Sequence, residues 1–201
     1  MVETIGEKDI EKTIGILGGT FDPPTIGHLR IALLAKTELS LDEIWLIPAN
    51  SSIDKPPIAS GLDRLLMCAM LTKDTPNINV MPIDIERGGI TYTIDTIRDL
   101  NSKYPLYSFT FIIGDDIDIT TWSNWEQCIA LASFVRINRP GYKSKDDFPR
   151  IEATYTTSST KVRDLLYNKA DINEDCSEEI NEVCSQDILQ YIERRKLYLS
   201  S

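Results

Sequence analysis

Apolar residues along this chain keep two rhythms that take turns. Short runs of nearly continuous apolar residues bounded by turn residues fall at 13–18, 43–48, 77–85, 107–114 and 133–138. Such runs read as buried strands. Between them, apolar residues recur every third or fourth position at 27–39, 61–72, 93–103, 123–132, 158–167 and 186–196, which predicts helices. The boundaries carry helix signals. Ser60 and Ser158 stand where N-caps are expected, and Pro105 stops the helix at 93–103. The stretch 50–60 is a Pro- and Ser-rich loop, 143–150 a charged loop, and 171–179 an acidic, linker-like segment. No internal repeat is present. Strands alternating with helices imply βαβ units and a parallel sheet of five to six strands with helices on both faces, an α/β fold.

At 201 residues a single domain, 1–201, is expected. It carries a polar N-terminal extension at 1–12 and a C-terminal helical part at 156–201. Hydrophobic content of 42% and charged content of 26% suit a globular protein with a substantial core. The net charge of −10 argues against a nucleic-acid binder, which needs a basic face. It leaves room for a local basic pocket. No apolar run is long enough for a membrane span, and residues 1–12 lack the apolar core of a secretory signal. A cytoplasmic location is expected. The four cysteines, Cys68, Cys128, Cys176 and Cys184, form no C-x-x-C pair, so neither a disulfide framework nor a zinc site is expected.

Gly18 to His28, GGTFDPPTIGH, contains the one histidine of the chain. It joins the first predicted strand to the first predicted helix. Backbone N–H groups at a helix start favour an anion, and glycines let a phosphate approach the backbone closely. The segment matches neither the G-x-G-x-x-G dinucleotide fingerprint nor the G-x-x-x-x-G-K-[ST] phosphate loop. In parallel sheets ligands gather beyond the carboxyl ends of the strands. The loop after Pro48, the turn after Ile113 and the turn Arg139-Pro140-Gly141-Tyr142 all follow predicted strands, as Gly18–His28 does.

Other residues read in two ways. Ser158-Ser159-Thr160 with Arg163 one turn later offers hydroxyls, N–H groups and a guanidinium suited to phosphate; it also reads as a cap beside a surface arginine. Asp116 can accept from ribose hydroxyls, or be a solvated turn residue beside Asp115 and Asp118. Thr93 can touch a ligand or cap a helix. Trp122 and Trp125 can stack on a flat ring or pack on the core.

Gly19-Thr20-Phe21-Asp22-Pro23 followed by Thr25-Ile26-Gly27-His28 resembles the nucleotidyltransferase signature, G-x-F-x-P and [His/Thr]-x-Gly-His. Four further segments follow in order: Thr91-Tyr92-Thr93-Ile94-Asp95-Thr96, Phe111-Ile112-Ile113-Gly114-Asp115-Asp116, Arg139-Pro140-Gly141-Tyr142 and Ser158-Ser159-Thr160-Lys161-Val162-Arg163. Together they resemble the bacterial nicotinate-mononucleotide adenylyltransferases over residues 13–198.

The resemblance implies a Rossmann-like nucleotidyltransferase fold and adenylyl transfer from ATP, with Mg2+, to nicotinate mononucleotide, a step of NAD biosynthesis. It implies catalytic roles for His28 and Thr25. It implies ATP contacts from Gly18, Gly19, Thr20, Phe21, Gly27, His28, Gly114, Asp116, Ser158, Ser159, Thr160 and Arg163. Asn50, Lys55, Thr93, Trp122, Trp125 and Arg139 would face the pyridine mononucleotide. No residue is assigned as a metal ligand, and a homo-oligomer is left open. Two positions depart from the family. Thr25 stands where its histidine is usual, a feature of the related pantetheine-phosphate adenylyltransferases. Asp54 precedes Lys55 where the family has histidine. A pantetheine-phosphate enzyme and a nucleotide-binding sensor without catalysis are the alternatives. A flavodoxin-like electron-transfer protein shares the layered architecture but leaves His28 and the 158–163 segment unexplained.

Overall fold

The computed structural model describes residues 11–52, 56–138, 141–142, 144–153, 158–168 and 176–198. The strands are β1 (Lys12–Gly19), β2 (Glu43–Pro48), β3 (Ile78–Val80), β4 (Tyr107–Gly114), β5 (Ser133–Ile137) and β6 (Arg150–Ile151). They lie in the order β3-β2-β1-β4-β5-β6, and every neighbouring pair is parallel. The winding reverses between β1 and β4. Their carboxyl ends, at Gly19 and Gly114, therefore border the crevice in which such sheets bind ligands.

The helices are α1 (Ile26–Glu38), α2 (Gly61–Thr72), α3 (Ile83–Arg87), α4 (Thr93–Lys103), α5 (Trp125–Leu131), α6 (Ser159–Asn168), α7 (Cys176–Val183) and α8 (Gln186–Arg195). Side chains of a strand alternate between faces, and here both faces are apolar, as a helix-covered parallel sheet requires. On β2, Trp45 and Ile47 join the core under α4 and α5, with Ile94, Ile97, Leu100 and Cys128. Ile44 and Leu46 join the opposite core under α1 and α2, with Ala32, Ala35 and Cys68. A third cluster sets Met67 and Leu71 of α2 against Val162 of α6, Ile180 of α7 and Ile188 of α8. That packing brings the start of α6 to the loop after β1.

Three segments differ from the sequence reading. The strand expected over 77–85 is only Ile78–Val80, and α3 begins after Pro82. Proline removes a ladder donor, and Arg87 bonds back to Asp84 three residues earlier, which favours a helical turn. The charged loop at 143–150 runs into the two-residue strand β6, too short to leave a pattern. The acidic segment contains α7 from Cys176. There Ile180 and Val183, both buried, supply a helical stripe that the acidic composition conceals. Residues 171–175 lie outside the described set, as does the N-terminal extension before Glu11. Among the described residues no helix is long and apolar enough to cross a membrane.

Candidate active site

The loop after β1 is shaped by a few strong local constraints. Gly18 has open space where a Cβ would stand, while a Cβ on Gly19 would meet the Phe21 ring at 3.4 Å. Phe21 is buried and holds φ 51°, the left-handed region that costs a side-chain-bearing residue energy. Its ring meets His28 edge to face, with centroids 5.0 Å apart. Thr25, fully buried, precedes α1 as its N-cap. The Thr25 backbone N–H donates to His28 Nδ1 at 2.9 Å, and the Thr25 hydroxyl lies 2.7 Å from the same nitrogen. A ring nitrogen that accepts an N–H bears no proton. The proton of the neutral imidazole therefore sits on Nε2.

Asp22 fastens this loop to distant parts of the chain. Its carboxylate accepts from the N–H groups of Ile58 at 2.8 Å and Ala59 at 3.1 Å, and from the Tyr198 hydroxyl at 2.6 Å. Burial, reinforced by Asp22, pushes the Tyr198 pKa well up, so its hydroxyl stays a donor. The Asp22 carbonyl accepts from Arg163 at 2.6 Å, and the Ser159 hydroxyl donates to the Pro23 carbonyl at 2.8 Å. Arg163 also donates to the Thr160 hydroxyl at 3.0 Å. Ser158 caps α6 by accepting from the Lys161 N–H at 3.2 Å.

Two cavities open here. The smaller, about 230 Å³, is lined by Thr20, Phe21, Asp22, His28, residues 56–58, and Ser158, Ser159, Thr160 and Arg163. The larger, about 510 Å³, runs along the strand ends past Gly18, Gly19, Thr20 and His28. It reaches Gly114, Asp116 and Trp122 after β4, and Ser51, Asp84, Thr91 and Thr93. Thr20 and His28 border both. Residues far apart in sequence thus converge around one histidine, with hydroxyls and a guanidinium on one side and a long, partly apolar trough on the other.

Several open choices among residues resolve in space. Asp116 is exposed on the larger cavity. Asp115 turns inward to Arg150, 3.4 Å away, and Asp118 caps a short 3-10 turn through Thr120. Trp122 lines the larger cavity, whereas Trp125 packs against the core and lines neither. Thr93 is the first helical residue of α4, after the N-cap Tyr92, and faces the cavity. Thr25 and Gly27 line neither cavity, and the Thr25 hydroxyl is engaged with the His28 imidazole. Asn50 is also set back, its amide donating to the Gly89 carbonyl at 2.7 Å. Lys55 and Arg139 lie outside the described residues.

Residues 16–165 match the family model described as cytidylyltransferase-like. The chain belongs to that family. It is 34% identical over 193 residues to a "Probable nicotinate-nucleotide adenylyltransferase" of Oceanobacillus iheyensis, covering 93% of this chain and 97% of the relative. It is 35% identical over 191 residues to a protein of the same name from Corynebacterium glutamicum, covering 92% and 88%. In fold it is similar to the solved Plasmodium falciparum nicotinic acid mononucleotide adenylyltransferase complexed with NaAD, with a TM-score of 0.79 at 22% identity, covering 93% of this chain and 97% of that one.

In this member of the cytidylyltransferase-like family, three site residues escape the sequence reading. Asp22 lies inside the signature but shows its function only once Ile58 and Tyr198 are placed beside it. Asp84 lines the larger cavity, bonded by Thr96 at 2.6 Å and Arg87 at 2.7 Å, and burial pushes its carboxyl pKa up. Arg64 is wholly buried. Its signal is present in the sequence: with Met67, Cys68 and Leu71 it makes the apolar stripe of α2, a position where arginine is out of place. Burial pushes the thiols of Cys68 and Cys128 upward and that of Cys184 up to about 12, away from the reactive thiolate.

Proposed function

We infer that this protein transfers the adenylyl group of ATP to nicotinate mononucleotide, releasing pyrophosphate and forming deamido-NAD in NAD biosynthesis. One observation carries the reading. His28 and Thr20 border both cavities, so a single donor can face a phosphorus between a dinucleotide-sized trough and a smaller anion pocket. ATP lays its adenosine along Gly114 and Asp116. Its β- and γ-phosphates enter the pocket of Ser158, Ser159, Thr160 and Arg163. The pyridine mononucleotide takes the opposite arm, with Trp122 as stacking face and Thr93 at its edge.

The attacking 5′-phosphate is already an anion near pH 7, so no general base is needed. The protein aligns two anions and offsets the charge that develops between them. His28 donates its Nε2 proton in a hydrogen bond to an α-phosphate oxygen, and Thr25 holds the ring in that tautomer. Among the described residues no three His, Cys, Asp or Glu side chains gather as a metal cage. The hydroxyls of Ser158, Ser159 and Thr160 and the Arg163 guanidinium suit the polyphosphate itself, and Mg2+ arriving with ATP would supply further charge neutralisation there. A reaction drawing on ATP fits a cytoplasmic location and calls for neither nucleic acid nor a membrane.

Thr25 carries no information on the second substrate, since it touches the histidine and not the trough. The test is pyrophosphate release from ATP and Mg2+ with nicotinate mononucleotide, nicotinamide mononucleotide or pantetheine phosphate. Release strongest with nicotinate mononucleotide is expected. Release with pantetheine phosphate alone, or with none of the three from folded protein that binds ATP, overturns the reading.

A further inference from the structure

Arg64 has no exposed surface, yet among the described residues its hydrogen bonds all go to backbone carbonyls. Its Nε donates to the Ala59 carbonyl at 3.2 Å and its Nη2 to the Asn50 carbonyl at 2.8 Å. Its Nη1 donates to the carbonyls of Thr20, at 2.7 Å, and Ala49. These oxygens come from three segments: the loop after β1, the loop after β2, and the turn before α2. A trans peptide is planar, so a carbonyl drawn inward turns the next N–H outward. Thr20 and Asn50 held this way point the N–H groups of Phe21 and Ser51 away from the guanidinium. Phe21 lines the smaller cavity and Ser51 the larger.

The charge is not neutralised by contact. Among the described residues no carboxylate lies within ion-pair distance of Arg64. Burial lowers its pKa, and Asp22 is the foremost group opposing that. The Asp22 carboxylate itself is occupied by two N–H groups and a hydroxyl. A guanidinium stays protonated in a protein, and burying one without a carboxylate in contact is costly. Its neighbours on the same helix stripe, Met67, Cys68 and Leu71, are all apolar. A charge in a low-dielectric interior acts on nearby anions with little screening.

We propose that Arg64 is a positioning residue for adenylyl transfer, tying the His28 loop to the loop after β2 and setting a positive charge, with no carboxylate in ion-pair distance among the described residues, behind the wall that both cavities share. The proposal rests on the functional reading above. It predicts that polyphosphates feel Arg64 and uncharged nucleosides do not.

Two variants separate fork from charge. Arg64→Met removes both, and Arg64→Lys keeps the charge while losing the planar fork. Folding is followed by thermal melting, binding of ATP, pyrophosphate and adenosine by calorimetry, and turnover by pyrophosphate release. In Arg64→Met, ATP and pyrophosphate are expected to bind about tenfold more weakly, with adenosine within twofold, a loss near 1.4 kcal/mol for the charged ligands alone. In Arg64→Lys, ATP affinity is expected within about threefold while kcat falls at least about tenfold. The proposal is overturned if ATP and adenosine weaken together, or if folded Arg64→Lys turns over within about threefold of the parent. It is equally overturned if neither variant folds, since Arg64 then serves the core alone. Should the parent release no pyrophosphate, the functional reading fails, while the ATP-against-adenosine comparison still decides whether the charge is felt.

Discussion

Arg64 and Arg136 are both wholly buried beneath the same edge of the sheet, and both hold the carbonyl of a site residue. Arg136 donates to Gly114 O at 2.8 Å, but its other face is a fork on Asp146, with Nε at 2.9 and 3.1 Å from the two oxygens. Asp115 stands 3.9 Å away and is shared with Arg150. Among the described residues Arg64 bonds to carbonyls only. The same geometric task is therefore done once with a carboxylate in contact and once, among the described residues, without one. The paired arginine holds the turn that carries Asp116, which lines the larger cavity. The other lies beneath the loop of Thr20, which borders both cavities and, on the proposed reading, meets the phosphates. Placing the positive charge where polyanions bind, and cancelling it elsewhere, lets a chain of net charge −10 keep a locally attractive site.

The sharpest way to break this comparison is at Arg136. Arg136→Met strands Asp146 and weakens the hold on Asp115, and removing one partner of a buried pair costs about 3–5 kcal/mol. Urea melts should show that loss, with ATP affinity of the remaining folded protein little changed. A cost under about 1 kcal/mol would mean that Asp146, whose side chain is 25% exposed, is hydrated as soon as its partner leaves. The pair would then be no anchor.

His28 tests the chemistry on the Arg64 side. Removing one transition-state donor costs about 100- to 1,000-fold in kcat, so His28→Ala should lose that much with its melting temperature nearly kept. Asp116→Ala, on the Arg136 side, should raise the KM for ATP about tenfold and spare kcat, as befits a ground-state contact. Equal losses of kcat in the two variants would erase the division between a chemical end and a holding end.

The pattern of strands and helices made the fold legible. The strand at 107–114 and the helices at 61–72 and 93–103 fall where the periodicity places them, because a parallel sheet buried on both faces leaves an unmistakable apolar run. Most of the lining is legible too, since Gly18–His28 and Ser158–Arg163 are local motifs. What lies between them is not. That Asp115 turns inward while Asp116 faces the cavity depends on Arg136 and Arg150 arriving from two other strands. That Asp22 is a fastening depends on Tyr198, 176 residues later. Long-range partners of this kind leave no local spacing, and α3 and β6 are too short to leave a period.

Acid separates the two arginines by a different route. The Arg136 guanidinium beside Asp146 holds its carboxyl below the usual carboxylate range. A depressed native pKa gives stability that is present above the unfolded value, about 3.9, and is lost as pH falls through the native one. Urea melts from pH 6 downward should thus lose stability below about pH 4, and Asp146→Asn should flatten part of that acid limb while lowering stability at pH 6. Arg64, with no carboxylate in ion-pair range among the described residues, predicts no such limb of its own.

Two glycines of β1 carry the last contrast, between a folding effect and a binding effect. A Cβ at Gly15 would stand 2.4 Å from Ile44 Cδ1 and 2.7 Å from Leu41 Cδ1. Gly15→Ala forces these side chains to shift and should cost about 1–3 kcal/mol. A Cβ at Gly18 meets nothing within 4 Å and would project where the larger cavity passes. Gly18→Ala should therefore melt within about 0.5 kcal/mol of the parent while raising the KM for ATP several-fold, because the added methyl occupies space needed by the ligand. If Gly18→Ala binds ATP normally, the nucleotide does not press against this backbone, and the wall that Arg64 underlies would begin only at Thr20.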